Sequence, residues 1–143
     1  MKNKLVFLLF SIYILTTLGC EDAGKCTSDY YLDIDAPSLV SDENGYYRFQ
    51  FVSGYVQTFT TLRAQTGSID TYQKLGWMSN KEININGHWT NLVNPATYTD
   101  DEGAGYTVLG VWQEFIGDTI TIYCGYKDEC QSLYTDTLKV IME

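Results

Sequence analysis

The feature that most constrains the fold is a series of short runs rich in Tyr, Thr, Val, Ile and Phe. Gly, Asn and Asp interrupt these runs at strand-like intervals from residue 46 onward. No segment keeps a helical period, so the pattern indicates strands. The candidate strands are 37–41, 46–52, 56–66, 72–79, 82–86, 104–115, 118–126 and 134–142. About seven or eight short strands with turn signals between them predict one all-β domain, an antiparallel β-sandwich.

Alternation along these runs predicts which side chains face the core, because every second residue of a strand points to the same side. The predicted inward face of the run 118–126 consists of Ile120, Ile122, Cys124 and Tyr126. Trp77, in the middle of the run 72–79, is the predicted central aromatic of the core. In the last run Lys139 alternates with Leu138 and Val140, which predicts a strand at or near a sheet edge.

The N-terminus is distinct from this pattern. Lys2 and Lys4 precede an uncharged run at 5–18, which is short for a membrane-spanning helix and has the length of a signal-peptide core. Gly19-Cys20 at its end resembles the lipobox of bacterial lipoproteins, although Thr17 stands where that family usually has an aliphatic residue. The resemblance implies cleavage before Cys20 and a lipid on its thiol. The alternative is cleavage nearby, with Cys20 an ordinary cysteine.

This interpretation divides the chain into a signal peptide (1–19), an acidic tether (20–35) and a sandwich domain (36–143). The chain has 9 Lys and Arg against 18 Asp and Glu, a net charge of −9; loss of Lys2 and Lys4 leaves 7 basic residues, hence −11. Such a chain lacks the clustered cations that bind nucleic acid or anionic lipid. Membrane attachment therefore depends on the lipid anchor.

Glu21 and Asp22, directly after Cys20, have two open interpretations. They resemble the export signal that sends some Gram-negative lipoproteins to the outer face of the outer membrane, and they also suit a solvated tether. We predict an outer-membrane lipoprotein of a Gram-negative bacterium; the periplasmic and cell-surface faces both remain open.

The segment 56–142 resembles the bacterial immunoglobulin-like domains of the invasin and intimin type. Two motifs carry the resemblance: the turn Thr99-Asp100-Asp101-Glu102-Gly103 and the strand Gly117-Asp118-Thr119-Ile120-Thr121-Ile122. The family implies an immunoglobulin-like sandwich that serves as a spacer or adhesive module on bacterial surfaces, without catalysis. This chain departs from the family pattern because 143 residues hold no second copy of the domain.

With Cys20 acylated, three cysteines remain, and an exported protein is expected to form a disulfide. Because Cys124 falls on a predicted buried face, Cys26 with Cys130 is the favoured pair. The competing pair is Cys124 with Cys130. A zinc site is not expected, since no Cys-x-x-Cys pair exists and His88 is the only histidine; no other metal or cofactor is predicted.

Trp89 and Trp112 are the candidate ligand-binding aromatics, because carbohydrate-binding modules stack sugar rings on exposed Trp and Tyr. Packing against their own sheets is the alternative. The carboxylates of Asp100, Asp101 and Glu102 suit either calcium or a tight turn. No nucleophile motif is present. We therefore predict a monomeric, non-catalytic binding or structural module with a surface protein or glycan as partner; the alternative is a carbohydrate-binding lipoprotein of a polysaccharide-uptake system.

Overall fold

A computed structural model describes residues 31–67, 72–128 and 131–143. In this part of the chain there are eleven strands and one short 3-10 helix, Gln113–Phe115. The strands are β1 (Leu32–Asp35), β2 (Val40–Ser41), β3 (Tyr46–Phe49), β4 (Gln57–Thr66), β5 (Lys74–Ser79), β6 (Glu82–Ile85), β7 (His88–Asn91), β8 (Ala96–Tyr98), β9 (Ala104–Trp112), β10 (Thr119–Lys127) and β11 (Leu133–Met142). Within the described ranges no helix has the length and apolar character needed to span a membrane.

The strands form three sheets. One sheet has the order β1-β4-β9, the largest has the order β2-β3-β11-β10-β5-β8, and β6 pairs with β7 alone. All pairings are antiparallel except that of β3 with β11, which is parallel. The prediction of an all-β fold is confirmed. Each of the eight predicted runs contains a strand, whereas β1, β7 and β8 are additional short strands; β1 lies in the stretch assigned to the tether.

The two larger sheets share one hydrophobic core, to which the longer strands β4, β5, β9, β10 and β11 contribute buried residues. The predicted inward face of β10 is confirmed, because all four of its residues are buried. Trp77 is only 4% exposed, and its indole Nε1 donates a hydrogen bond to Thr97 Oγ1 at 2.8 Å. Trp77 thus buries its ring and satisfies its one donor, as a core tryptophan requires.

The prediction that the last strand lies at or near an edge holds for only part of it. β11 pairs with β10 along its length, whereas β3 pairs with Lys139 to Met142 alone. Residues 133–138 have no described strand on that side, but Lys139 itself lies between two strands. Lys139 remains exposed on the outer face, with its Nζ 5.1 Å from the centre of the Tyr46 ring. A single Lys among apolar residues marks the solvent-facing side of a strand, but the pattern does not tell an edge strand from an inner one.

Candidate functional site

Three of the predicted site cysteines, Cys20, Cys26 and Cys130, lie outside the described residues. Cys124 carries a free thiol that is buried on the inner face of β10, so the prediction of a buried core thiol is confirmed. Burial raises the pKa of the Cys124 thiol from 9.0 to about 12. A protonated, buried thiol is a poor nucleophile and a poor metal ligand at neutral pH.

Trp89 is the most prominent of the predicted site residues. It lies on β7 with 69% of its surface exposed. The indole lines a shallow cleft of about 700 Å³. The cleft is lined by Met78, Ser79, Asn80, Lys81, Glu82, Trp89, Asn91 and Tyr123. An aromatic ring beside amide side chains is suited to a ligand that needs both stacking and hydrogen bonding.

The hairpin that carries Trp89 is held in place by polar contacts. Its two-residue turn consists of Asn86 and Gly87, both with positive φ, as a tight hairpin with an Asn-Gly turn requires. At its base, Asn91 Oδ1 accepts from the backbone N–H of Ser79 at 2.9 Å, and Leu92 N–H donates to Ser79 Oγ. These bonds fix β7, and with it Trp89, to the end of β5.

Trp112 lies elsewhere. It ends β9, is half-buried, and packs against the core from the outer side of the β1-β4-β9 sheet. Gly110 makes room for it: a Cβ there would stand 3.3 Å from both Trp112 Cζ3 and Phe59 Cε1. Met78 and Tyr123, next to Trp89, lie on the outer side of the other large sheet. The structure therefore does not bring the two tryptophans into one platform.

In the acidic turn at 100–102, the Asp100 carboxylate accepts hydrogen bonds from the backbone of the same turn. Asp100 Oδ1 accepts from the N–H groups of Glu102 and Ala104, each at 2.9 Å, and Gly103 takes a positive φ. His88 is exposed on β7. Across the described ranges, no group of three or more His, Cys, Asp or Glu side chains is placed to hold a metal ion.

A second cavity was not predicted from the sequence. We name it the β3–β4 groove; it has a volume of about 610 Å³. Its lining residues are Ser38, Leu39, Phe49, Gln50, Val52, Tyr55, Gln57, Thr58, Phe59 and Thr60. None of them is charged. The signal in the sequence is the turn around Gly54, where Val52, Tyr55 and Val56 are apolar at positions that a solvated turn fills with polar residues.

The groove also contains an unsatisfied polar atom. Thr58 Oγ1 is buried and has no hydrogen-bond partner among the described residues. Thr60, two residues along the same face, has its hydroxyl 2.8 Å from Ser38 Oγ. A buried hydroxyl without a partner costs about 1–3 kcal/mol, so Thr58 marks a place where the free protein lacks a contact.

Charged groups lie beside the groove but are paired with one another. Arg48 contacts both Asp42 and Glu143. The backbone N–H of Tyr46, which donates to Asp42 Oδ1 at 3.0 Å, is the main cause that lowers the pKa of the Asp42 carboxyl; Asn44 N–H and Arg48 add to it. The hydrogen bond from Arg48 to Glu143 is the largest cause that raises the pKa of the guanidinium. The surroundings of the groove therefore carry no unpaired charge from this cluster.

Comparison with known proteins places the chain in no family. No family model matches it, and no curated protein does. Among solved structures, the sporulation control protein Spo0M from Bacillus subtilis is similar, with a TM-score of 0.37 and 7% identity. The aligned part covers 81% of this chain and 50% of Spo0M, so the chain spans half the length of that protein. A similarity this weak supports no inference about fold or function.

Proposed function

We propose that the chain is a lipid-anchored module of the bacterial cell envelope, with an immunoglobulin-like sandwich that binds a partner and performs no catalysis. The observation that carries the binding role is Trp89, a large aromatic that is 69% exposed on a hairpin fixed by hydrogen bonds. A rigid β scaffold that presents an exposed aromatic in a cleft is a recognition surface. The signal sequence and Cys20 supply the proposed location.

The strand pairing supports the immunoglobulin-like part of the proposal. In such sandwiches, strands A, B and E are neighbours in one sheet, and strands C, F and G are neighbours in the other. Here β1, β4 and β9 are neighbours in one sheet, as are β5, β10 and β11 in the other. The chain order agrees with these letters when β2 and β3 are placed between strands A and B, and the hairpin β6–β7 and β8 between strands C and E.

The contacts of Tyr31 show where the described chain begins relative to the groove. The Tyr31 carbonyl accepts from Gly67 N–H and from the Tyr126 hydroxyl, both at 3.2 Å, so the chain enters beside the C-terminal end of β4. The opposite end of β4 lies 10 residues away, or roughly 33 Å. The β3–β4 groove therefore lies at the end of the sheet opposite the first described residue.

The same position supports the proposed disulfide between Cys26 and Cys130. Cys26 precedes Tyr31 by five residues, and Tyr31 touches Tyr126 near the end of β10. Lys127 ends β10, and Cys130 follows it three residues later in the sequence. Since Cys124 has a free thiol, the competing pair with Cys124 receives no support. A non-reducing peptide map that links Cys124 to another cysteine would contradict the proposed pairing.

Mass spectrometry of the N-terminus of the native protein tests the anchor. We expect the mature chain to begin at Cys20 with a diacylglyceryl group on the thiol. Cys20→Ser should release the protein from membranes, whereas Cys26→Ser, the matched control six residues on, should leave it attached. An unmodified N-terminus at another position would contradict the proposal.

Carbohydrate binding is the second candidate function, and the cleft at Trp89 favours it. Asn80 and Asn91 provide amides beside the indole, and Tyr123 adds a second ring. Truncation of a central aromatic contact costs more than about 1 kcal/mol of binding free energy. In an oligosaccharide panel, Trp89→Ala should therefore weaken binding about fivefold or more, while Trp112→Ala, on the other sheet, should not. Absence of any bound sugar would remove this candidate.

A further inference from the structure

The first half of β4 is an open strand edge. β1 pairs only with the second half of β4, and its last pair is Asp35 with Arg63; these two side chains also form an ion pair at 2.6 Å. Continuing the β1–β4 pairing would require a backbone N–H from Pro37, and proline has no backbone N–H. At residues 57–62, β4 therefore pairs with β9 on one side and with no described strand on the other.

The hydrogen-bond pattern identifies the backbone groups that point to the open side. Gly110, the partner of Phe59 on β9, donates its N–H to the Leu92 carbonyl and not to β4. The pair is therefore a non-hydrogen-bonded one, and the N–H and C=O of Phe59 point away from β9. Because backbone groups alternate in direction along a strand, the N–H and C=O of Gln57 and Thr61 also point away from β9. Within the described ranges, no residue bonds these groups on the open side.

The β3–β4 groove lies directly along this edge. Thr58 and Thr60 of β4 form one wall, and Phe49 of β3 lies across from them. Two aromatic residues of the groove lining are exposed: Tyr55, just before β4, is 62% exposed, and Phe59, within β4, is 63% exposed. An extended chain beside β4 would direct every second side chain into the groove and the others outward, next to Phe59.

We propose that this edge binds an extended, uncharged polypeptide segment, which adds to the β1-β4-β9 sheet as a strand beside Gln57, Phe59 and Thr61. Two observations select this partner. Unpaired backbone N–H and C=O groups in a row are the complement of another strand, since main-chain hydrogen bonds provide affinity in strand addition. The groove lining contains no charged residue, and burial of an unpaired charge there would be costly.

The proposal rests on the proposed binding role of the module but not on the lipid anchor. It concerns a different surface from the cleft at Trp89, because β4 and the cleft belong to different sheets. The edge lies at the end of the domain opposite Tyr31.

The test selects a phage-displayed library of linear peptides of about nine residues on the purified chain, and then measures amide hydrogen exchange with the best synthetic peptide. We expect the selected peptides to lack charged residues in their central part. On binding, exchange at Phe59 and Thr61 should slow about tenfold or more, since their N–H groups gain partners. Exchange at Thr58 and Thr60, which already face β9, should not change.

Matched variants separate backbone pairing from side-chain contact. Thr61→Pro removes the edge N–H, which an edge position tolerates, and should weaken binding about tenfold, as loss of a hydrogen bond and blocked pairing predict. Thr61→Ala keeps the N–H and should bind normally. Peptides that are N-methylated at alternate residues provide a control that does not depend on the folding of a variant. Methylation of the N–H groups on the peptide edge that faces β4 should abolish binding, whereas methylation of those on the opposite edge should not.

Four outcomes would overturn the proposal. Enrichment of no peptide is the first, and equal binding of both N-methylated series is the second. Protection of Phe59 and Thr61 that rises with protein concentration alone would identify a second copy of the chain as the occupant. Binding of neutral oligosaccharides such as maltohexaose at this edge, with no peptide bound, would identify a sugar site. Failure here would leave the acylation of Cys20 untouched, because mass spectrometry tests that separately.

Discussion

The hairpin region at Trp89 and the open edge of β4 both expose aromatic side chains, yet they differ in what remains unsatisfied. On the hairpin, β6 and β7 pair fully with each other, and Asn91 and Ser79 satisfy the backbone groups at its base. Along β4, a row of backbone groups and one buried hydroxyl have no partner among the described residues. An exposed ring alone is common on protein surfaces. Unpaired polar groups beside an apolar groove are the stronger indication of a binding surface.

The β5–β10 side of the core is closed to solvent at Cys124, which is only 2% exposed, and chemical labelling of its thiol tests this. Burial raises the pKa of its thiol from 9.0 to about 12, which lowers the thiolate fraction roughly a thousandfold at neutral pH. Labelling of the Cys124 peptide by iodoacetamide should therefore be slower in the folded than in the unfolded chain by about that factor. Equal labelling rates in the folded and unfolded chains would mean that the reagent reaches Cys124 in the folded protein.

The same thiol predicts a pH dependence. Because folding raises the pKa of Cys124, the folded state binds the proton more tightly, and this contribution to stability is complete below pH 9.0. It is lost as the pH rises from there towards about 12. Urea unfolding of the native chain and of Cys124→Ala should show a steeper alkaline loss for the native chain. An equal fall of the free energy of unfolding with pH in both proteins would contradict the burial assigned to Cys124.

Asn91 tests whether polar contacts hold the hairpin. Its Oδ1 accepts from Ser79 N–H at 2.9 Å and from Val93 N–H at 3.3 Å, so Asn91→Ala leaves both donors without their side-chain acceptor. We expect a loss of about 2 kcal/mol in the free energy of unfolding. Asn84→Ala, which removes only the exposed bond to Gly87 N–H, should cost about 0.5 kcal/mol. Similar losses for the two variants would mean that the base of the hairpin is not specially fixed.

Thr58 tests whether the groove beside β4 contains an unsatisfied hydroxyl in the free protein. Since its hydroxyl has no partner, Thr58→Val should raise the free energy of unfolding by roughly 1 kcal/mol. Thr60→Val is the matched control, because it breaks the 2.8 Å contact with Ser38 and should be destabilising by a similar amount. Chemical denaturation of both variants measures the difference. A destabilised Thr58→Val would show that the hydroxyl already has a partner in the free protein.

The sequence predicts the strands and their inward faces well where alternation is long. The faces of β5 and β10 follow from the spacing of Leu75, Trp77 and Ser79 and of their counterparts on β10. The short strands β1, β7 and β8 are not predicted, because three or four residues do not establish a period. β1 in particular alternates Leu32 and Ile34 with aspartates in a stretch that reads as a tether.

The open edge depends on distant parts of the chain, so local sequence does not reveal it. It exists because β1 reaches only as far as Arg63, and the length of β1 is set by Pro37, 20 residues before Gln57. The positions of the tryptophans likewise depend on distant parts of the chain. Alternation identifies Trp77 as buried, but the separation of Trp89 and Trp112 onto different sheets follows from the strand order.

The backbone N–H and C=O groups of Phe59 and Thr61 on β4 have no partner among the described residues of the free protein. Amide hydrogen exchange of the purified chain without any peptide measures this directly. The amides of Phe59 and Thr61 should exchange about a hundredfold or more faster than those of Thr60 and Leu62, whose N–H groups point to β9. Equal protection of all four amides would show that the edge is already covered and would contradict the account.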